Sequence, residues 1–392
     1  MTSYVSPVAF TTVAQSIPPN VFADMDRKVA AAVADGADVI DLAKGNPDAF
    51  PADFIREVAK KAVDDPANAR YSPFDGKPSF LQATERWYRN TYGVEVDWKT
   101  QLFAVEGAVD GLAALFAVLV SPGDAVAYAD PYYPSYHCMT VMSRAEEVLL
   151  PSLPERGFLP DLDAVPAQVW NRVKVLVLNY PNNPTGAQAP RGFLQRAIDL
   201  AHEHHFAIVQ DFAYAGLGVD AQQISILSLP GAFEVAVEVC SLSKMYAMAG
   251  WRAGFIAGND DIVSHVKQYH YQWVPWLRPA FKTRALWHCC RIRAVWPNLR
   301  NGMRLVAKSW QVDCVKPDLM FSIQTVASTL GCTLLKIRRV NNFADTLLER
   351  AAVAALPGTC FGKVGKDYVR FSLLKSEDQL REAVRRVTAV LA

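Results

Sequence analysis

The sequence predicts an α/β protein with a mostly parallel central sheet in a large domain, followed by a smaller α+β domain. Three observations carry that expectation. From about residue 100, short β-rich runs alternate with longer stretches of helical period, the pattern of βαβ units. Residues 173–178 form an apolar run of the kind buried on both faces of a parallel sheet. Over the last hundred residues the regular alternation gives way to a mixture of helical and strand-like pieces.

The first twenty residues contain Pro7, Pro18 and Pro19 and few charges, which suits an irregular arm lying on another surface. Residues 102–105 read as a short strand, followed by Gly107 and a helical stretch to Val120. Pro122-Gly123-Asp124 is a turn leading to a strand over 125–129. After the strand at 173–178, helical periodicity spans 192–204, and apolar strands recur at 206–209, 235–240 and 253–257. The last part holds helical stretches around 284–304 and 343–355, strand-like pieces at 334–338 and 368–372, and a helix from Glu377 onward. There is no internal repeat, low-complexity tract or charge block.

Composition narrows the function. The chain has 392 residues, 51% apolar and 20% charged, which is ordinary globular composition with room for about two domains. With 40 Lys+Arg against 39 Asp+Glu it has no electrostatic grip on a phosphate backbone, so no nucleic-acid partner is expected. The longest clean apolar run, residues 112–120, is far short of the roughly 18 residues a membrane span needs, and the first basic residue is Arg27, so neither a membrane nor a secretory signal is expected. Seven cysteines with no CxxC spacing read as reduced thiols in a cytoplasmic protein. Adjacent Cys289 and Cys290 suit helix packing. The cluster His202-Glu203-His204-His205 lacks HExxH spacing and reads as a solvated helix end, and no metal site is expected.

In a parallel α/β sheet, ligands bind beyond the carboxyl ends of the strands. Here the residues just after each strand converge on one chemistry. Residues 173–178 lead into Asn179-Tyr180-Pro181-Asn182-Asn183-Pro184-Thr185-Gly186. Asp211 and Tyr214 come after the strand at 206–209. Ser241, Ser243 and Lys244 come after the strand at 235–240, with Arg252 eight residues beyond the lysine. Gly107-Ala108-Val109 opens a helix after the first strand, where free backbone N–H groups make an anion site. An amine, a carboxylate, a phenol, an amide and an anion pocket thus meet at one sheet edge.

Taken in order, these motifs resemble the class I/II pyridoxal-phosphate-dependent aminotransferases of fold type I, and among their branches one that includes the LL-diaminopimelate aminotransferases. The resemblance runs from Leu42-Ala43-Lys44-Gly45-Asn46-Pro47-Asp48 to Tyr368-Val369-Arg370-Phe371-Ser372, and includes Phe158-Leu159-Pro160-Asp161-Leu162 and Gly250-Trp251-Arg252. It implies an N-terminal arm that joins the small domain over 1–45, a large cofactor-binding domain over 46–283 and a small domain over 284–392. Pyridoxal phosphate needs an amine to hold it as an imine and an electron sink once a substrate proton leaves. The resemblance makes Lys244 that amine and the base freed afterwards. Asp211 would keep the pyridine nitrogen protonated, and Asn183 and Tyr214 would bond the ring 3′-oxygen. Arg252 and Ser241, with the backbone of Ala108 and Val109, would hold the phosphate; Ser243 is a further candidate. Many relatives carry Ser-Lys where this chain has Ala108-Val109, which shifts phosphate binding toward the backbone, Ser241 and Arg252. Tyr133 would stack on the ring. Arg370 would take the substrate carboxylate beside the backbone of Gly45. Tyr71 would reach the phosphate of a neighbouring subunit, which implies a homodimer with composite sites.

The activity implied is transfer of an amino group from an L-amino acid to a 2-oxo acid by a ping-pong mechanism. A lyase or oxidase on the same cofactor site is the alternative. A cofactor-sensing regulator would need a DNA-binding domain ahead of the fold, and only about 40 residues precede Gly45. Substrate choice stays open: Arg278 could serve a second carboxylate, while Trp273-Val274-Pro275-Trp276-Leu277 beside it equally suits a bulky or apolar side chain.

Overall fold

The computed structural model describes residues 8–47, 50–217, 223–273, 332–336 and 343–391. Its main feature is a seven-stranded sheet. The chain's strands are β1 (Ile40–Asp41), β2 (Leu102–Val105), β3 (Ala125–Asp130), β4 (Glu146–Pro151), β5 (Val173–Leu178), β6 (Ala207–Asp211), β7 (Ala236–Ser241), β8 (Gly254–Gly258), β9 (Cys332–Lys336), β10 (Val353–Ala354), β11 (Leu356–Pro357) and β12 (Tyr368–Ser372). The large sheet has the order β2-β8-β7-β6-β5-β3-β4. Neighbours from β7 to β4 pair in parallel, while β8 runs antiparallel to both β2 and β7.

The reversed direction of β8 positions the site. Gly254, its first residue, pairs with both Val105 at the end of β2 and Ser241 at the end of β7. Arg252, two residues earlier, therefore reaches the same sheet edge as the carboxyl ends of the parallel strands. Gly254 is required by close approach: a Cβ there would stand 2.5 Å from the Cys240 carbonyl oxygen and 3.1 Å from the Gly107 Cα.

Apolar clusters cover both faces of this sheet. One joins Phe80, Trp87 and Tyr88 of the helix Pro78–Tyr92 to Leu176, Ile208 and Phe255, and includes Leu194 and Ile198 of the helix Arg191–His204. The opposite cluster joins Leu112, Leu115 and Phe116 of the helix Ala108–Leu119 to Val177, Val209 and Val239. Burial on both faces is why β5 and β6 read as apolar runs. Among the described residues no helix is long and apolar enough to cross a membrane.

Two further sheets lie outside this one. Strands β11, β12 and β9 form an antiparallel sheet, and β1 pairs in parallel with β10. Ile40 and Leu42 share a core with Leu347, Val353 and Phe371, so the start of the chain is packed into its C-terminal part.

The structure corrects several expected elements. β4 was not anticipated, because Glu146 and Glu147 are exposed at a sheet edge and break any apolar pattern. The helix expected over 343–355 stops at Ala351, and Val353–Ala354 instead pairs with Ile40–Asp41. The arm is not wholly irregular: Thr11 caps a short helix, Thr12–Ser16. Helices at Val21–Ala34, Asp53–Val63 and Pro78–Tyr92 have no counterpart among the expected elements. The helix expected at 284–304, Arg278, Cys289, Cys290 and residues 274–277 of the tryptophan-rich segment lie outside the described residues.

Candidate active site

A cavity of about 290 Å³ opens at the edge where β2, β5, β6 and β7 end and β8 begins. It is lined by every candidate site residue except Tyr71: Gly45, Ala108, Val109, Tyr133, Asn183, Asp211, Tyr214, Ser241, Ser243, Lys244, Arg252 and Arg370. Tyr71 is 70% exposed and stands apart from this lining.

Asp211 ends β6 and is buried. Its Oδ2 accepts a 2.6 Å hydrogen bond from the Tyr136 hydroxyl, and its Oδ1 accepts one from the Ala213 backbone N–H at 3.2 Å. Burial pushes its pKa up to about 6, against the pull of those two donors. Asn179 Nδ2 donates to the Asp211 carbonyl oxygen at 2.9 Å, and its Oδ1 accepts from the Asn183 backbone at 2.8 Å. One buried amide thus fixes the ends of both β5 and β6.

Lys244 lies in a single helical turn, Leu242–Met245, whose cap is Ser241; Ser241 Oγ accepts from the Ser243 backbone at 3.2 Å. The Lys244 Nζ donates to the Gly45 carbonyl oxygen. A Cβ at Gly45 would stand 3.5 Å from Lys244 Nζ and 4.0 Å from Arg370 Nη1, so the missing side chain leaves open the space between the two cations.

Gly107, with φ +94°, precedes the helix Ala108–Leu119 and gives it no side-chain cap, and Ala108 and Val109 of its uncapped first turn line the cavity. Arg252 has φ +49°, and its guanidinium folds back to donate to the carbonyl oxygens of Ala249 at 3.0 Å and Glu106 at 3.2 Å. A Cβ at position 107 would lie 2.6 Å from Arg252 Nη2 and would push that guanidinium aside, and the φ of +94° there already favours glycine.

Arg370, on β12, is buried, and its Nη2 donates to the Ala43 carbonyl oxygen at 3.0 Å. Its Nε has no hydrogen-bond partner. The guanidinium carbon lies 5.4 Å from the Phe361 ring centroid and 5.9 Å from that of Phe22. A buried fork with an unused donor suits a carboxylate ligand.

These donors fit pyridoxal phosphate. The cavity offers an amine, a buried carboxylate for a ring nitrogen, and a phosphate cup made of a helix N-terminus and an arginine. Among the described residues, no group of three or more His, Cys, Asp or Glu side chains could hold a metal ion.

Sequence reasoning missed Phe22, Leu112, Ala213 and Ala249 in the lining, and Tyr136 behind it. Tyr136 carried a faint signal, since it lies three residues after Tyr133 and so on the same side of one helix. Phe22 carried none.

The comparisons with known proteins agree with this chemistry. Residues 37–275 match the family model described as aminotransferase class I and II. The chain is similar to an LL-diaminopimelate aminotransferase of Nitratidesulfovibrio vulgaris, 35% identical over 95% of this chain and 96% of that one. It is similar also to an L-glutamine–4-(methylsulfanyl)-2-oxobutanoate aminotransferase of Bacillus subtilis, 34% identical over 96% and 94% of the two chains. Among solved structures, substrate-bound BacF of Bacillus subtilis superposes with a TM-score of 0.91 at 28% identity, covering 97% of this chain and 98% of that one. A double mutant of Thermus thermophilus aspartate aminotransferase superposes with a TM-score of 0.86 at 26% identity, covering 98% and 100%. Both curated relatives and the family model are named for amino transfer, which does not favour the lyase or oxidase alternative. The chain belongs to the class I and II aminotransferases and is a pyridoxal-phosphate-dependent transaminase with the α/β architecture of fold type I.

Proposed function

We propose that this enzyme moves the amino group of an L-amino acid to a 2-oxo acid with Lys244 as its covalent anchor and proton carrier. The observation that carries this is the placement of Lys244 Nζ beside Gly45, with Arg370 on the far side of the same gap. When bound, pyridoxal phosphate supplies the aldehyde carbon and the electron sink. Asp211 would pair with the ring nitrogen and keep a proton there. Asn183 and Tyr214 would hold the ring 3′-oxygen, and Tyr133 would pack on the ring. Arg252, Ser241, Ser243 and the backbone N–H groups of Ala108 and Val109 bind the phosphate. Arg370 Nε and Nη hold the substrate α-carboxylate, with Gly45 giving the Cα room to approach. Lys244 Nζ then takes the proton from that Cα and returns one on the other side of the transfer. The names of the two curated relatives support an α-amino acid donor.

The same reading places the protein in the cytoplasm as a homodimer, with exposed Tyr71 completing the partner's phosphate site. Its cofactor-binding domain is residues 46–283, and the arm at 1–45 joins a small domain over 284–392. The test is borohydride reduction of the purified protein followed by peptide mass spectrometry. A reduced cofactor adduct on Lys244 is expected; the adduct on any other lysine refutes the assignment.

A further inference from the structure

Phe22 is the one large aromatic ring that the N-terminal helix Val21–Ala34 contributes to the cavity lining. Its position is fixed from two sides. Asn20 caps the helix, its Oδ1 accepting from the backbone N–H groups of Phe22 and Ala23 at 3.0 Å each. The ring packs against the apolar cluster that contains Met25, Ala43, Leu356 and Phe361. In front, its centroid lies 5.9 Å from the Arg370 guanidinium carbon and 6.3 Å from the Tyr133 ring.

That placement bears on substrate choice. The gap at Gly45, between Lys244 Nζ and Arg370 Nη1, is where a substrate Cα and its carboxylate must stand. A side chain growing from that Cα begins within about one side-chain length of the Phe22 ring, because the ring centroid lies 5.9 Å from the carbon of the guanidinium that would hold the carboxylate. A half-buried ring gains from being covered by apolar surface, whereas a charged group laid against it would lose water without a partner. We propose that Phe22 is a specificity-determining residue that selects amino acids with large, uncharged, apolar side chains. This deepens the proposed function and rests on Arg370 as the carboxylate site.

The experiment uses full-length holoenzyme carrying Phe22→Ala or Phe22→Leu, with half-reaction kcat/KM measured for L-phenylalanine, L-methionine, L-alanine and L-glutamate. The wild type is expected to favour phenylalanine and methionine over glutamate. Phe22→Ala should lower the phenylalanine-to-alanine ratio by about tenfold or more, the scale of a lost apolar contact, and Phe22→Leu should recover much of the ratio for methionine. A second readout needs no turnover: calorimetric binding of 3-phenylpropanoate, which has no amine, should weaken in Phe22→Ala more than binding of propanoate. Equal losses for phenylalanine and alanine in both variants would overturn the proposal, since Phe22 would then only orient Arg370. A wild-type preference for glutamate would overturn it also. Arg370→Lys separates the two readings. If that variant binds both carboxylates undiminished, the carboxylate site itself falls, and the proposal with it. If it loses both while Phe22→Ala shows no selectivity, the proposal alone falls.

Discussion

The Tyr136 hydroxyl donates a 2.6 Å hydrogen bond to Asp211 Oδ2, and both groups are buried. The phenol is therefore a built-in counterweight to desolvation. Burial drives Asp211 up to about 6, and the bond from Tyr136 pulls it back toward the charged form. Its removal moves the carboxyl further up.

The first prediction rests on that sign. Asp211 must be ionised to pair with a positive ring nitrogen, so activity falls as pH drops through its pKa. A hydrogen bond to a charged group is worth ~1.5–3 kcal/mol, or about 1 to 2 pH units. Tyr136→Phe should shift the acid limb of the kcat/KM profile upward by about that amount while the alkaline limb stays in place. An unmoved acid limb would show that Tyr136 only fills space.

Asp211→Ala removes the charge altogether. The variant should fold and bind cofactor but lose several orders of magnitude in turnover, since electrostatic contributions of this kind are commonly worth ~3–4 kcal/mol or more. Single-turnover spectra with an amino acid donor read this directly. Near-normal rates in a loaded, folded variant would mean that another group serves the ring nitrogen.

A third prediction concerns assembly. Lys244→Ala and Tyr71→Ala homodimers should each be impaired, the latter by the ~1.5–3 kcal/mol of a hydrogen bond to a charged group. After verified subunit exchange, each mixed dimer holds one site with both defects and one with neither, so activity should return. No recovery would mean that Tyr71 serves its own chain or does not reach the phosphate.

Glu238 provides a stability prediction far from the chemistry. It is fully buried on β7, where Tyr88 donates to its Oε2 at 2.7 Å and the Ser225 side chain and the backbone of Ile226 and Leu227 also favour its charged form. Burial raises it from an ordinary 4.5 to about 7. The folded state therefore holds a proton that the unfolded chain releases, and stability declines as pH rises from about 4.5 to about 7 before levelling off. The size is roughly 3 kcal/mol. Glu238→Gln keeps an oxygen for Tyr88 and cannot ionise, so denaturant titrations should show a flatter pH profile and greater stability at pH 8. A slope equal to wild type would place the pH dependence elsewhere.

Much of the site was legible because strand ends in a parallel sheet are short-range features. Asn183, Asp211, Ser241 and Lys244 each come within a few residues of an apolar run, so the run that makes the strand also locates the residue. Arg252 could be placed at the same edge, although nothing local announced that β8 runs backwards. Phe22 was illegible for the opposite reason. It reaches the cavity from a helix whose own period shows only an amphipathic face, and its neighbours Tyr133, Phe361 and Arg370 lie far along the chain. Val353–Ala354 misled because two strand residues directly after a helix look like its last turn.

The pairing of β1 with β10 gives the enzyme a schedule for its own manufacture. The helix N-terminus at Ala108, Lys244, the buried Asp211 and Arg252 are all encoded before residue 254. The segment leading to Gly45 waits longer: Leu42 donates to Ala354 and accepts from Ser372, and Arg370 lies between those partners in sequence. Chains fold as they emerge, N-terminal parts first. A nascent polypeptide can therefore close the sheet edge that carries Asp211, Lys244 and Arg252 before Arg370 and the strands that seat Leu42 have been made.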